Sequence, residues 1–232
     1  MSFESFEKLP EEKKTVILKS GVAEFSQKSY ADVSTDKITK NCGISKGLLF
    51  HYFGSKKEFY LYCLNQSLEK LVAATPEPEQ SDFYGIIFSV MDEKFRLCHE
   101  YPDEMRLVNM AARESGGEIV DSKNKIFTEY LAKTTEASAK VMTRAVNTLQ
   151  LKTPGEKKVI ETLILFVNVI MNKYLLIYRE KPDKFFEQSD VIKAEMKEYI
   201  NLMLYGVATE EKNEKDRFTE SHDAMLSIQE NK

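Results

Sequence analysis

Few side chains in this sequence are arranged to do covalent chemistry. There are three histidines; His51 sits in a short motif described below and His222 in a polar tail. None forms an H-E-x-x-H zinc site, and no G-x-S-x-G elbow, P-loop or dinucleotide fingerprint occurs. Cys42, Cys63 and Cys98 form no C-x-x-C pair, so free thiols in a reducing compartment are expected, with no disulfide framework and no metal site. An enzyme is therefore not expected, nor is any cofactor. What remains is a cluster of hydroxyl and lysine side chains between positions 34 and 56, a pattern that suits binding an anionic polymer.

That cluster, from Ser34 to Phe53, reads as two short helices around a tight turn. Ser34 or Thr35 can cap the first helix and Ser45 the second, their side-chain oxygens meeting free backbone N–H groups. Gly43 supplies the positive φ that the turn requires, without a Cβ clash. Ile38, Cys42, Ile44, Leu49 and Phe53 would form the buried seam. Such a helix-turn-helix presents the first residues of its second helix to a major groove of DNA.

These residues also resemble the TetR family of regulators. The run Gly43-Ile44-Ser45-Lys46-Gly47-Leu48-Leu49-Phe50-His51-Tyr52-Phe53-Gly54-Ser55-Lys56-Lys57-Glu58-Phe59 follows the family hallmark almost throughout, and the likeness extends from Phe25 to Leu64. It implies that Lys46, Gly47 and Leu48 face base edges while Tyr52 and Lys56 reach phosphates, so that Lys46 can donate to a guanine and Leu48 can lie against a thymine methyl. The full DNA-binding set is Ser34, Thr35, Ser45, Lys46, Gly47, Leu48, Phe50, His51, Tyr52 and Lys56. His51 is either a phosphate donor or an exposed histidine without a role. The chain departs from the family habit at Thr39 and Cys42, usually alanines, at Leu48, usually a small hydroxyl residue, and at Phe50, usually tyrosine. Contact with DNA then rests more on Lys46, Tyr52 and the lysines.

The rest of the sequence must position this motif. With 42% hydrophobic and 30% charged residues and few Gly or Pro, the composition is that of an all-α protein. Helical spacing predicts helices over about 10–25, 34–53 in two pieces, 55–74, 82–100, 103–114, 118–149, 154–179 and 189–205. Ser55 with Glu58, and Thr153 with Glu156, read as capping boxes. The expected domains are 1–54 for DNA binding, 55–74 as a connecting helix, 75–206 for ligand binding and dimerisation, and 207–232 as a tail. The formal net charge of −4 divides into +2 over residues 1–70 and −6 beyond, which permits a DNA-binding N-terminal part. The first residues contain no targeting segment, which predicts a cytoplasmic protein.

In the run Leu163–Met171 (LILFVNVIM) apolar side chains point in nearly every direction, so burial all round is expected; Asn168, Asn172 and Lys173 argue against a membrane span. Helices 154–179 and 189–205 are accordingly expected to form a four-helix homodimer interface. The second half is rich in Phe, Tyr and Met. A small-molecule effector pocket is expected from Phe88, Met91, Phe95, Asn109, Met110, Arg113, Phe127, Tyr130, Phe166, Asn168, Met171 and Asn172, taking an apolar or amphipathic ligand. The expected function is a repressor released from a palindromic operator by that ligand. The alternative is a structural or division-control factor of the same fold with no inducer.

Overall fold

The computed structural model describes residues 3–151 and 157–206. The tail 207–232 and the expected capping box at Thr153–Glu156 lie outside the described residues. Within them the chain is helical, in the order α1 (Glu4–Glu7), α2 (Glu11–Phe25), α3 (Thr35–Cys42), α4 (Lys46–Phe53), α5 (Lys56–Ala73), α6 (Phe83–Glu100), α7 (Pro102–Arg113), α8 (Val120–Val146), α9 (Lys157–Tyr178), α10 (Pro182–Glu187) and α11 (Ser189–Tyr205).

Local chemistry sets many of the boundaries. Pro10 stands at the N-cap of α2, with Glu11 and Glu12 complementing the positive end of its dipole. Ser55 Oγ accepts from the Glu58 amide at 3.1 Å to open α5, and an Asp82 carboxylate oxygen accepts from the Gly85 amide at 2.9 Å to open α6. Pro102 and Pro182 occupy the first turns of α7 and α10, where a missing N–H costs nothing.

Two apolar cores follow. The first joins Phe25, Ile38, Leu49, Phe53, Phe59, Tyr60 and Leu64 of the N-terminal helices to Leu107 and Ala111 of α7 and to Ile119 just before α8. The core thus crosses the extended segment 75–81, although that segment is where the sequence marks a junction. The second core lies where α6 packs with α8, α9 and α10. It includes the fully buried Ile86, Ile87, Phe95, Val146, Val167 and Phe185. Phe95 and Phe185 stack with centroids 3.7 Å apart and ring planes 14° from parallel. Residues up to Lys193 form one contact unit, and α11 from Ala194 belongs to a second.

Two elements are absent from the sequence reading, α1 and α10. A further expectation is corrected on α9. Leu163, Val167, Ile170 and Met171 are buried, but Leu165 is 67% exposed, Val169 59%, Leu176 65% and Ile177 57%. The helical period sends these four to one side, where the described residues provide no cover. Among the described residues α9 is also the one helix long and apolar enough to cross a membrane.

Candidate nucleic-acid interface

The turn between α3 and α4 is built as the residue types require. Gly43 adopts φ +69° at the C-terminus of α3, and the next amide, of Ile44, reaches back to the Thr39 carbonyl at 3.1 Å. A residue with a Cβ would be strained there. Ser45 caps α4, its Oγ accepting from the Leu48 amide at 3.1 Å. Ser34 holds the N-cap position of α3 in an extended conformation without a side-chain cap bond, and Thr35 is buried. Ile38, Leu49 and Phe53 are buried, with Cys42 and Ile44 packed against the same core.

The outer face of α4 carries Lys46, Gly47, Leu48 and His51, all exposed. Lys46 Nζ lies 3.0 Å from one Asp36 oxygen and 3.2 Å from the other. With both groups in water this pair is weak and easily exchanged for another acceptor. Leu48 is a large apolar side chain 37% exposed on the outer face of α4. At Gly47 the nearest atom to an added Cβ is 3.9 Å away, so nothing inside the chain requires glycine. A glycine in a helix costs up to about 1 kcal/mol relative to alanine, and no packing within the described residues offsets that cost at Gly47. Gly47→Ala is therefore expected to raise thermal stability slightly while weakening duplex binding at least about tenfold. Parallel melting and binding curves check this, and undiminished binding would mean that this turn of α4 does not enter the groove.

Aromatic packing fixes the rest of α4. Phe53 meets Phe6 at 4.7 Å, Phe59 at 4.6 Å, Tyr62 at 5.3 Å and Phe3 at 5.5 Å between ring centroids. Tyr52 is half-buried with Phe6 at 5.9 Å. Tyr62 donates to Glu7 at 2.7 Å, and burial followed by that bond pushes its phenol above the ordinary range. The short α1 thus clamps the recognition helix, a contribution the sequence reading missed. Phe50 is half-buried, and His51 is exposed with its ring 5.7 Å from that of Tyr52.

Lys56 is placed differently from a free phosphate anchor. Its ammonium donates to the Ala31 carbonyl at 3.2 Å and lies 4.7 Å from the centre of the Tyr30 ring. Burial lowers its pKa, with Asp32 and Glu118 opposing. Tyr30 in turn donates to Glu118 at 2.5 Å. Beside them an open cleft of about 990 Å³ is lined by Ser55, Lys56 and Lys57 on one side and by Met110, Arg113 and residues 114–118 on the other.

The expected effector residues occupy several places. Met110 and Arg113 share that cleft, whereas Asn109 lines a separate cavity of about 200 Å³. Met91, Phe95 and Met171 are buried in packing. Phe127 and Tyr130 pack at the edge of the first core. Phe88, Phe166 and Asn168 are half-buried, and Asn172 is exposed on α9.

A helix-turn-helix with a solvent-facing second helix, followed by a helical bundle, defines a class of DNA-binding proteins. Residues 17–63 match the family profile described as bacterial regulatory proteins, tetR family. Over those residues the chain is similar to the TetR family of transcriptional regulators. It is 39% identical over 59 residues to the uncharacterized HTH-type transcriptional regulator YuxN of Bacillus subtilis, and these cover 25% of this chain and 20% of that one. It is 28% identical over 107 residues to the HTH-type transcriptional repressor SCO4008 of Streptomyces coelicolor, covering 46% and 53%. The alignments therefore span only a fifth and about half of these relatives. Among solved structures, GusR of Salmonella enterica shares the fold with a TM-score of 0.60 at 15% identity, covering 85% of this chain and 99% of that one. FadR of Bacillus subtilis, in complex with stearoyl-CoA, does so at 0.54 and 15%, covering 84% and 99%.

Proposed function

We propose that the protein is a homodimeric, cytoplasmic transcriptional repressor that sets α4 of each subunit into successive major-groove faces of a palindromic operator. The observation that carries this reading is the outer face of α4, where Lys46, Gly47 and Leu48 are free to meet a duplex while Leu49 and Phe53 anchor the helix from behind. The domains keep the roles given above, with residues 1–54 reading DNA, 55–74 connecting and 75–206 sensing and dimerising. Dimerisation is supported by the exposed stripe Leu165, Val169, Leu176 and Ile177 on α9, and by Val191 and Leu202 exposed on α11. Cover by a second copy, rather than by lipid, accounts for a stripe confined to one side.

Selection from randomised duplexes is expected to yield a palindrome. Lys46→Ala should relax preference at one symmetric base position, whereas Lys56→Ala should weaken all duplexes alike and reduce the salt slope by about one unit per lost phosphate contact if a phosphate draws its ammonium from the Ala31 carbonyl, and should leave the slope unchanged if that internal bond persists. Recovery of no palindrome would sink the reading. For the effector, the proposal stays with an apolar or amphipathic molecule; the stearoyl-CoA of one structural neighbour is of that kind, although likeness at 15% identity concerns the fold alone. A hundredfold release from DNA needs a coupling of about 2.7 kcal/mol, within reach of one ligand. Thermal shift followed by operator release tests this, and a response confined to highly charged compounds would overturn it.

A further inference from the structure

A second cavity, of about 200 Å³, lies where the α6–α7 turn meets the end of α9 and the start of α10. Its lining sets the donors Arg106, Asn109, Arg179 and His99 beside two carboxylates, Glu180 and Asp183. Arg179 contributes a buried Nε–H that has no hydrogen-bond acceptor; a Glu180 oxygen 3.8 Å away pairs with it as an ion but is beyond hydrogen-bond reach. A buried donor left unmet is destabilising, more so when it belongs to a charged group. Arg106, Asn109 and His99 line the same space.

The two acids of the lining are already engaged. Glu180 accepts from Arg106 Nε at 3.3 Å, and Asp183 pairs with His99 at 3.0 Å. The α7 helix begins at Pro102 on the cavity wall, so its first-turn amides add positive potential. Of that turn's own carboxylates, Asp103 accepts from Ser26 at 3.1 Å and from Arg106 at 3.4 Å, and Glu104 pairs with Lys70. Cys98 closes one side; burial pushes its thiol up to about 11, so it stays protonated and adds no negative charge.

We propose that this cavity binds a small oxyanion, a carboxylate or a phosphate, whose oxygen accepts from Arg179 Nε and whose charge is shared with Arg106. Size limits the ligand. The volume equals that of about seven water molecules and falls below the ~300 Å³ at which pockets for drug-sized molecules begin. The site is thus distinct in chemistry from the apolar effector proposed above. It also has a route to the DNA-reading head. Arg106 reaches Asp103 at 3.4 Å, and Asp103 holds the Ser26 hydroxyl at the C-cap of α2.

The test is calorimetric titration of the full-length, DNA-free protein with sodium phosphate and, separately, with succinate at constant ionic strength. One saturable site per chain is expected, with Kd between about 0.1 and 1 mM for at least one of the two. Which one binds distinguishes phosphate from carboxylate. Arg179→Gln and, independently, the more exposed Arg106→Gln should each weaken binding at least about tenfold, while Arg144→Gln, on a different surface, should not. A melting curve for each variant confirms folding. No saturable heat from either anion up to about 10 mM would overturn the proposal, as would binding that both cavity variants leave unchanged. Operator affinity with and without the anion is a separate readout, so failure to bind DNA would count against the proposed function and not against this site.

Discussion

Charging the exposed stripe of α9 with the double substitution Leu165→Asp and Val169→Asp is expected to leave the subunit folded and to produce monomers at micromolar concentration. Both side chains are more than half exposed in the single chain, so their loss removes little intramolecular packing, and surface changes of this kind stay within about 0.5 kcal/mol. In a two-fold interface each substitution is present on both copies, which brings four new negative charges into one apolar contact. Operator affinity should fall by at least about a hundredfold, because the second half-site is no longer held at high effective concentration. Sedimentation, circular dichroism and operator titration read the three outcomes. A surviving dimer would remove α9 from the interface. Binding of the parent protein to lipid vesicles, lost in the variant, would point to a bilayer as the partner of the stripe.

The second large effect is expected at Phe53. Its ring is 1% exposed and meets the rings of Phe3, Phe6, Phe59 and Tyr62. Phe53→Ala should cost about 3–5 kcal/mol and lower Tm by roughly 10 °C for a chain of this size. Duplex binding should weaken even at temperatures where the variant is still folded, since α4 loses the anchor that fixes its angle. Phe53→Leu should recover most of the stability. A small loss of Tm in the alanine variant would show that α1 and α5 hold the recognition helix without this ring.

The helix-turn-helix was legible because each of its steps is a local rule. Gly43 adopts the positive φ expected of it, Ser45 caps α4, and Ile38, Leu49 and Phe53 turn inward. The long helices were legible from period and caps. What escaped depends on contacts distant in sequence or on segments too short to show a period. The four residues of α1 matter through Phe6, whose partners lie some fifty positions away. The six-residue α10 is tied to α6 by the Phe95–Phe185 stack. Lys56 looked like a free cation in the sequence, and only folding reveals that the Ala31 carbonyl and the Tyr30 ring already hold it. The burial expected around all of Leu163–Met171 is only partly supplied by the described residues, which leave Leu165 and Val169 exposed.

The apolar core that joins Phe59, Tyr60 and Leu64 to Leu107, Ala111 and Ile119 also bears on the use of this protein as a source of parts. Cutting after α5 to obtain a portable reading head would strip cover from that core and leave a sticky apolar surface, as would grafting residues 1–74 onto an unrelated sensor. A working chimaera would have to carry α7 and the start of α8 along with the head. The transferable unit in this fold is spatial, assembled from two stretches of chain, and a crossover point chosen from the sequence alone would divide it.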